Sequence, residues 1–501
     1  MDNPFKKSNR RPEPILIPDS SSIDDPTGKM IIRTRQPKID ERVLGWAKSI
    51  DEATGKEVRQ LTGISMQDRD STHFYIVGAS GTGKTKFLEY LMIQDWESKT
   101  GFGVIDPHGD LVDDLKNRML VAKGKEFLEK WVVLIDPTDK GRTVSFNPLE
   151  RIEGVLPAAI AEELTDAFKK IWADSWGARM EALLKNSLIA LIENNLTLAE
   201  LPLFLSSSRF RREKLEQVEH PICRQYFERF NSLRPNVQDE WAESTMNKIT
   251  SLLNNDYVRQ MFISPKSSFN LRDIMDSGKI LLVKLDRGQL KGSGDLLGSL
   301  MLAKIQMAAF TRTDTPYEER RPFYLYIDEF QNFATESFLN VLAESRKYRL
   351  PLTLAHQHLS QLPNSLRASI LTNCRLQAYF QISRDDANIL AKESLASIYN
   401  DPPGWEWYVQ QLQELPNRGF VMKNKIKGGV VALRTAELRK LEDVLQETKD
   451  LGVEKNLGTM ESIGKESLRN RKEIEDGYKA RRDELTKANE SGSFREPKRL
   501  S

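Results

Sequence analysis

The sequence predicts an α/β protein with a mainly parallel sheet and an inserted all-α domain. Three observations carry this. Short apolar runs without polar alternation recur along the chain, as strands buried on both faces require. Helix-patterned segments separate several of them, which favours parallel strands covered by helices. One long interval, from Pro148 to about Asn270, contains helical stripes and no strand-like run.

Taken in order, residues 1–70 read as an N-terminal arm and lead-in. Residues 1 to about 40 are rich in Pro, Ser and charge and are expected to be disordered alone; residues 41–70 look helical. The first part of the α/β domain, 71–150, holds Phe74-Tyr75-Ile76-Val77, then GFGVIDP (101–107) and WVVLIDP (131–137). The all-α insert, 151–270, is marked by the stripe Met180, Leu184, Leu188, Leu191 and by a helix from Asp239 to Val258. The second part, 271–436, holds KILLVKL (279–285), FYLYIDEF (323–330), LPLTLAHQ (350–357) and RLQAYFQIS (375–383). Residues 437–501 form a charged helical or disordered tail, read most simply as a solvated helix. There is no internal repeat.

Bulk properties bound the function. A chain of 501 residues has room for two to four domains. A net charge of +2 is no polycation, so nucleic acid would have to meet a local basic surface or one built from several subunits. Two cysteines, Cys223 and Cys374, can supply neither a disulfide framework nor a four-cysteine zinc site and fit a reducing compartment. The start, MDNPFKKSNRRPEPILIP, lacks an apolar core of signal-peptide length. The most apolar stretch, Leu296 to Phe310, is interrupted by Lys304 and Gln306 and reads as a buried amphipathic helix, short of a membrane span. The expectation is a cytoplasmic protein without a transmembrane segment of its own, docking peripherally at a membrane through a partner if it works there.

The sharpest signal is IVGASGTGKTKF (76–87). Gly78-Ala79-Ser80-Gly81-Thr82-Gly83-Lys84-Thr85 matches G-x-x-x-x-G-K-[ST], between an apolar strand and a helix-favouring segment. The glycines let successive N–H groups turn inward, and with the positive end of the helix they cradle phosphates. Lys84 reaches the β- and γ-phosphates, and Thr85 offers its hydroxyl to Mg²⁺. ATP and Mg²⁺ are the cofactors this implies.

A second strand, Phe323 to Ile327, ends in Asp328-Glu329. Such a site needs a carboxylate for the magnesium shell, which Asp328 fits; Glu329 can polarise the attacking water. The pair favours ATP hydrolysis over a small-molecule kinase. The next strand ends in Gln357, placed to sense the γ-phosphate or orient water.

Together, GASGTGKT, VIDPHGDL (104–111), VSFNPLE (144–150), YLYIDEFQNF (324–333) and LAHQHLSQL (354–362) resemble the HerA/FtsK superfamily of P-loop ATPases, and within it the TraG/TraD-like coupling ATPases of conjugation and type IV secretion. The resemblance covers roughly residues 70–150 and 270–395. It implies a RecA-like ATPase assembled as a homo-hexamer that moves DNA through a central channel, with relaxase or secretion-channel partners. It makes Gly78, Gly83, Lys84 and Thr85 nucleotide ligands, Asp328 and Glu329 the Walker B pair, and Gln357 the sensor. Asp106 and Asp110 receive no firm role; a structural turn at Pro107–Gly109 serves equally well. Classical coupling proteins carry N-terminal transmembrane helices and this sequence shows none, which leaves open a soluble relative, a protein docked on a separate membrane partner, or a HerA-like DNA-processing motor.

Ring ATPases complete each site with an arginine from the neighbouring subunit. Arg375, Arg384 and Arg179 are candidates, the first two ranked together. DNA would be gripped through phosphates without sequence readout, and Arg346-Lys347-Tyr348-Arg349 and Lys284, Arg287, Lys291 are candidate basic patches whose plainer reading is solvated surface. The main functional expectation is a DNA-translocating ATPase; the alternatives are a HerA-like processing or packaging motor and an ATP-gated cargo-recruitment adaptor that moves no DNA.

Overall fold

The computed structural model describes residues 30–33, 40–50, 57–139, 142–395, 405–440, 443 and 468–491. Its strands, in chain order, are β1 (Met30–Arg33), β2 (Glu41–Ile50), β3 (Glu57–Ser65), β4 (Phe74–Val77), β5 (Phe102–Asp106), β6 (Val132–Ile135), β7 (Arg142–Val144), β8 (Ile280–Lys284), β9 (Tyr324–Ile327), β10 (Leu352–His356), β11 (Leu376–Tyr379), β12 (Gly419–Asn424), β13 (Val430–Arg434) and β14 (Leu468–Asn470).

Twelve of them form one sheet in the order β1-β3-β2-β13-β12-β11-β4-β10-β9-β5-β8-β6. The seven from β11 to β6 are all parallel. Both faces of this segment are covered. Phe74, Ile76, Val104 and Leu282 face the helices Lys84–Glu97 and Asp110–Lys123, while Tyr75, Val77, Ile105 and Val283 face the opposite core. This is why these runs read as continuously apolar. β12, β13 and β2 extend the sheet with antiparallel pairing.

Residues 41–70, read as helical, are instead the antiparallel hairpin β2–β3 followed by a single helical turn at Met66–Asp70. A bulge between Val43 and Gly45 breaks the register, and both Val43 and Leu44 are buried. The period-two signal is lost there. Gly45 marks a close approach to β13: a Cβ would stand 2.1 Å from the Arg434 carbonyl oxygen.

Between β7 and β8 the described residues form helices, chiefly Pro157–Ile171, Ala178–Glu193, Pro221–Ser232, Pro235–Leu253 and Asp256–Phe262. Proline opens three of them, at the position where its missing N–H costs nothing. The VSFNPLE motif is the junction. Asn147 Nδ2 donates to the Pro265 carbonyl at 2.8 Å, its Oδ1 accepts from Leu149 N, and Glu150 accepts from Ser267 N.

The helix Gly292–Phe310, expected to be amphipathic, is buried on nearly all sides. Lys304 is buried within it, donating to the Glu150 carbonyl at 2.6 Å, and burial pulls its pKa down to about 8. The C-terminal helix Arg471–Ser491, read as solvated, docks on the helical region. β14 pairs with β7, Arg259 Nη1 donates to both carboxylate oxygens of Glu475 at 2.7 Å, and Arg481 bonds Glu200 at 2.6 Å. The expectations for residues 1–29, 34–39, 441–442, 444–467 and 492–501 fall outside the described residues. Among the described residues no helix is long and apolar enough to cross a membrane.

Candidate nucleotide-binding site

Because β4, β10, β9, β5 and β11 are parallel and paired in register, their C-terminal ends open on one edge of the sheet. The residues that follow them, Gly78, Gln357, Asp328 and Phe380, therefore converge there, where ligands of open parallel sheets bind. One strand, β10, lies between β4 and the acid-bearing β9. Its end thus sits between the loop and the acid pair.

The loop Gly78–Thr85 curls over this edge. Gly81 and Gly83 take φ of 76° and 106°, conformations glycine adopts freely. Gly78 is required by proximity: a Cβ would lie 2.4 Å from Phe380 Cβ. Ala79 N donates to the Gln381 carbonyl at 2.8 Å, and Thr82 Oγ1 donates to the Ala79 carbonyl at 2.7 Å, which pins the curl. Ser80 and Gly81 are exposed at its tip. The helix Lys84–Glu97 begins directly, and its first intrahelical bond runs from Phe87 N to the Gly83 carbonyl. The amides of Lys84, Thr85 and Lys86 precede it and have no intrahelical acceptor, a cradle for an anion. Lys84 is buried and its Nζ donates to the Gly78 and Ala79 carbonyls at 2.5 and 3.2 Å. Burial lowers its pKa, and the charges of Glu329 and Asp328 oppose that. Thr85 is exposed.

The acids lie across the cleft. Asp328 N donates to the Ile105 carbonyl, and Asp328 Oδ1 accepts from Glu329 N at 3.0 Å. Asp328 is 5% exposed; burial, then Glu329 and Asp106, push its pKa up to about 7 against the pull of Lys84. Glu329 takes φ of 46°, a sparsely populated conformation for a non-glycine residue that occurs at functional sites. Its Oε1 accepts from Gln357 Nε2 at 2.6 Å and its Oε2 from Gln331 Nε2 at 2.8 Å. Gln357 and Glu329 are thus joined directly. Beneath them His356 is fully buried and its pKa falls to about 3 through burial and the nearby Lys84 charge, so the ring is neutral.

These residues fit a magnesium nucleotide. Burial, with the neighbouring carboxylates of Glu329 and Asp106, leaves Asp328 holding its proton near neutrality, which a cation would relieve. Among the described residues no group of three or more His, Cys, Asp or Glu could hold a metal by itself. Magnesium would therefore come with the phosphates, as it does where one or two carboxylates and substrate oxygens share it.

The remaining candidates separate. Asp106 caps the next helix, accepting from His108 N at 2.9 Å and Val112 N at 3.1 Å. Asp110 opens that helix and is exposed. Arg384 starts the helix Arg384–Leu390 beyond β11, exposed on the loop's edge of the sheet. Arg375 precedes β11 and lies at the opposite edge, half-buried. Arg179 pairs with Glu240 at 3.3 Å on the helical region. Arg346–Arg349 precedes β10, also on the far edge. Lys284 is paired with Asp113 and Asp136, and Arg287 with Asp295.

Two features escaped sequence reading. Asp95, on the loop helix, accepts from Arg42 Nε (2.9 Å), both terminal nitrogens of Arg69 (2.5 and 2.8 Å) and the Tyr326 hydroxyl (2.5 Å), all buried. It ties the loop helix to β9 and the β2–β3 hairpin. Arg418, just before β12, packs on Gly83, and its N donates to the Thr82 carbonyl at 3.0 Å. Neither carries a motif, since the partners are remote in sequence.

The family model of the type IV secretion-system coupling protein DNA-binding domain matches residues 58–395. No curated protein sequence matches significantly. Similar solved structures include the bacterial conjugative coupling protein TrwB in unbound form (TM-score 0.53, 15% identity, covering 75% of this chain and 87% of that one). They also include TrwB with ADP and Mg²⁺ (0.52, 16%, 79% and 90%) and VirB4 of Thermoanaerobacter pseudethanolicus (0.52, 13%, 81% and 98%). At such identities these likenesses establish a shared RecA-like fold. With the family model spanning well over half of the chain, the chain belongs to the type IV secretion-system coupling protein family of P-loop ATPases.

Proposed function

We propose that this chain is an ATP-hydrolysing DNA translocase that serves DNA transfer in conjugation or type IV secretion. The observation that carries the reading is the joining of the loop lysine, the Asp328-Glu329 pair and Gln357 at one sheet edge, in a chain of this family. Bound Mg²⁺–ATP supplies the phosphoanhydride to be cleaved and the cation that neutralises it. The amides after Gly83, with Lys84, would hold the phosphates, and Thr85 and Asp328 would hold the magnesium shell. Glu329 takes the proton of the attacking water, and Gln357, bonded to Glu329, turns with it and passes the hydrolysis state to the loop after β10. Arg384, exposed on the loop's edge, or Arg375, on the far one, would complete the site of a neighbouring copy in a ring of six. Residues 71–150 with 271–436 act as the motor, and 151–270 as a helical unit facing relaxase or channel partners. TrwB bound to ADP and Mg²⁺ is a relative whose ligand fits the same assignment.

The test is ATP turnover with and without single- or double-stranded DNA, at low and moderate salt. DNA should raise turnover, and salt should suppress the gain because phosphate contacts release counterions. Turnover indifferent to DNA, with no salt-sensitive DNA binding, would overturn the translocase reading in favour of an ATP-gated adaptor.

A further inference from the structure

Arg418 lies against the phosphate loop from a distant part of the chain. A Cβ on Gly83 would stand 3.3 Å from Arg418 Cγ and 3.4 Å from its Cα. The Arg418 amide donates to the Thr82 carbonyl at 3.0 Å, and the Arg418 carbonyl accepts from Thr435 N at 2.9 Å. The residue is therefore clamped at both backbone ends, one of them to the loop itself. It takes φ of 67°, a left-handed conformation where glycine would be unstrained. Its side chain is about one-third exposed, and its guanidinium meets Glu437, which is 61% exposed. An ion pair this open is weakly held and exchanges readily.

We propose that Arg418 is a nucleotide-binding residue. In the absence of ligand its guanidinium rests on Glu437; with a nucleoside di- or triphosphate it leaves Glu437 and pairs with phosphate oxygens beside Gly83. A planar guanidinium suits that exchange, because it makes paired bonds to carboxylate and phosphate alike. The step moves no covalent bond: one charge-assisted pair is replaced by another. Arg418 acts within its own subunit, being tied to the same loop it serves, unlike the arginine expected from a neighbour. Glu437 competes with the nucleotide for it.

This rests on the nucleotide-site reading above, and the experiment separates the two. Equilibrium binding of a fluorescent ADP analogue is measured by titration for wild type, Lys84→Ala, Arg418→Gly, Arg418→Lys and Glu437→Gln, with melting temperature recorded for each. Arg418→Gly keeps the left-handed backbone and should melt no lower than wild type, yet bind ADP about tenfold more weakly, the loss of one charge-assisted pair. Arg418→Lys should recover part of that loss, and Glu437→Gln should bind a few-fold more tightly. ADP affinity unchanged in Arg418→Gly, or reduced only together with melting temperature and not recovered by lysine, overturns the proposal. Wild type that binds no ADP, or Lys84→Ala that binds equally well, instead overturns the nucleotide-site reading.

Discussion

Asp328 offers the most quantitative test of the site. Its carboxyl sits 5% exposed beside Glu329 and Asp106, with pKa raised from 3.8 to about 7. At ~1.4 kcal/mol for each tenfold, ionising it in the empty pocket costs on the order of 4 kcal/mol more than in water. A bound magnesium ion removes that penalty by supplying the missing positive charge, so Mg²⁺–nucleotide binding should expel the proton. Below about pH 7, where the free protein holds it, each unit of pH should weaken Mg²⁺–ADP affinity by up to about tenfold. The assay is isothermal titration calorimetry with Mg²⁺–ADP, in buffers of different ionisation enthalpy, near pH 6 and above pH 8. Wild type should release close to one proton more than Asp328→Asn at the lower pH, and nearly the same number at the higher. The variant subtracts the titration of the nucleotide itself. The sign for folding runs the other way. A carboxyl with raised folded pKa favours the folded state when protonated, so the nucleotide-free protein should gain stability from this group as pH falls from about 8 towards about 5. Equal proton release from wild type and Asp328→Asn near pH 6 would refute the assigned environment of this carboxyl.

Other substitutions test separate parts of the construction. Glu329→Gln should keep ATP affinity while turnover falls by roughly 10²–10⁴, the usual worth of a general base; single-turnover kinetics with undiminished hydrolysis would remove it from that role. Lys84→Ala should weaken nucleotide binding markedly, and unaltered affinity by titration would count against the cradle. Gly78→Ala drives a methyl to 2.4 Å from Phe380 Cβ, and Phe380 is stacked with Phe420 at 5.1 Å and cannot retreat freely. The overpacking should cost about 1–3 kcal/mol in urea denaturation; a neutral result would mean the loop relaxes. Asp95→Ala leaves Arg42 and Arg69 buried without their carboxylate and should cost about 3–5 kcal/mol. A change below about 1 kcal/mol would show that water reaches both guanidinium groups.

The sequence by itself determined the parallel core and the chemistry of its open edge. Both rest on local information. Strands buried on two faces must be apolar throughout, as at Phe74–Val77 and Tyr324–Ile327, and a loop that binds phosphate must place glycine, lysine and threonine within a few residues of each other. What the local pattern misread was the β2–β3 hairpin, because a bulge at Val43–Gly45 puts two successive apolar side chains inside. It also missed the docking of the C-terminal helix, where Glu475 and Arg481 meet partners on the helical region while Lys472, Glu473, Asp476, Lys479 and Asp483 stay exposed. Only the tertiary structure decided which groups meet. The order β4-β10-β9 brings Gln357 to Glu329, the buried Asp95 joins the loop helix to β9 and the hairpin, and Arg418 rests on Gly83. Such contacts join residues far apart in the chain, and nothing in the local sequence encodes a distance that only the completed sheet sets.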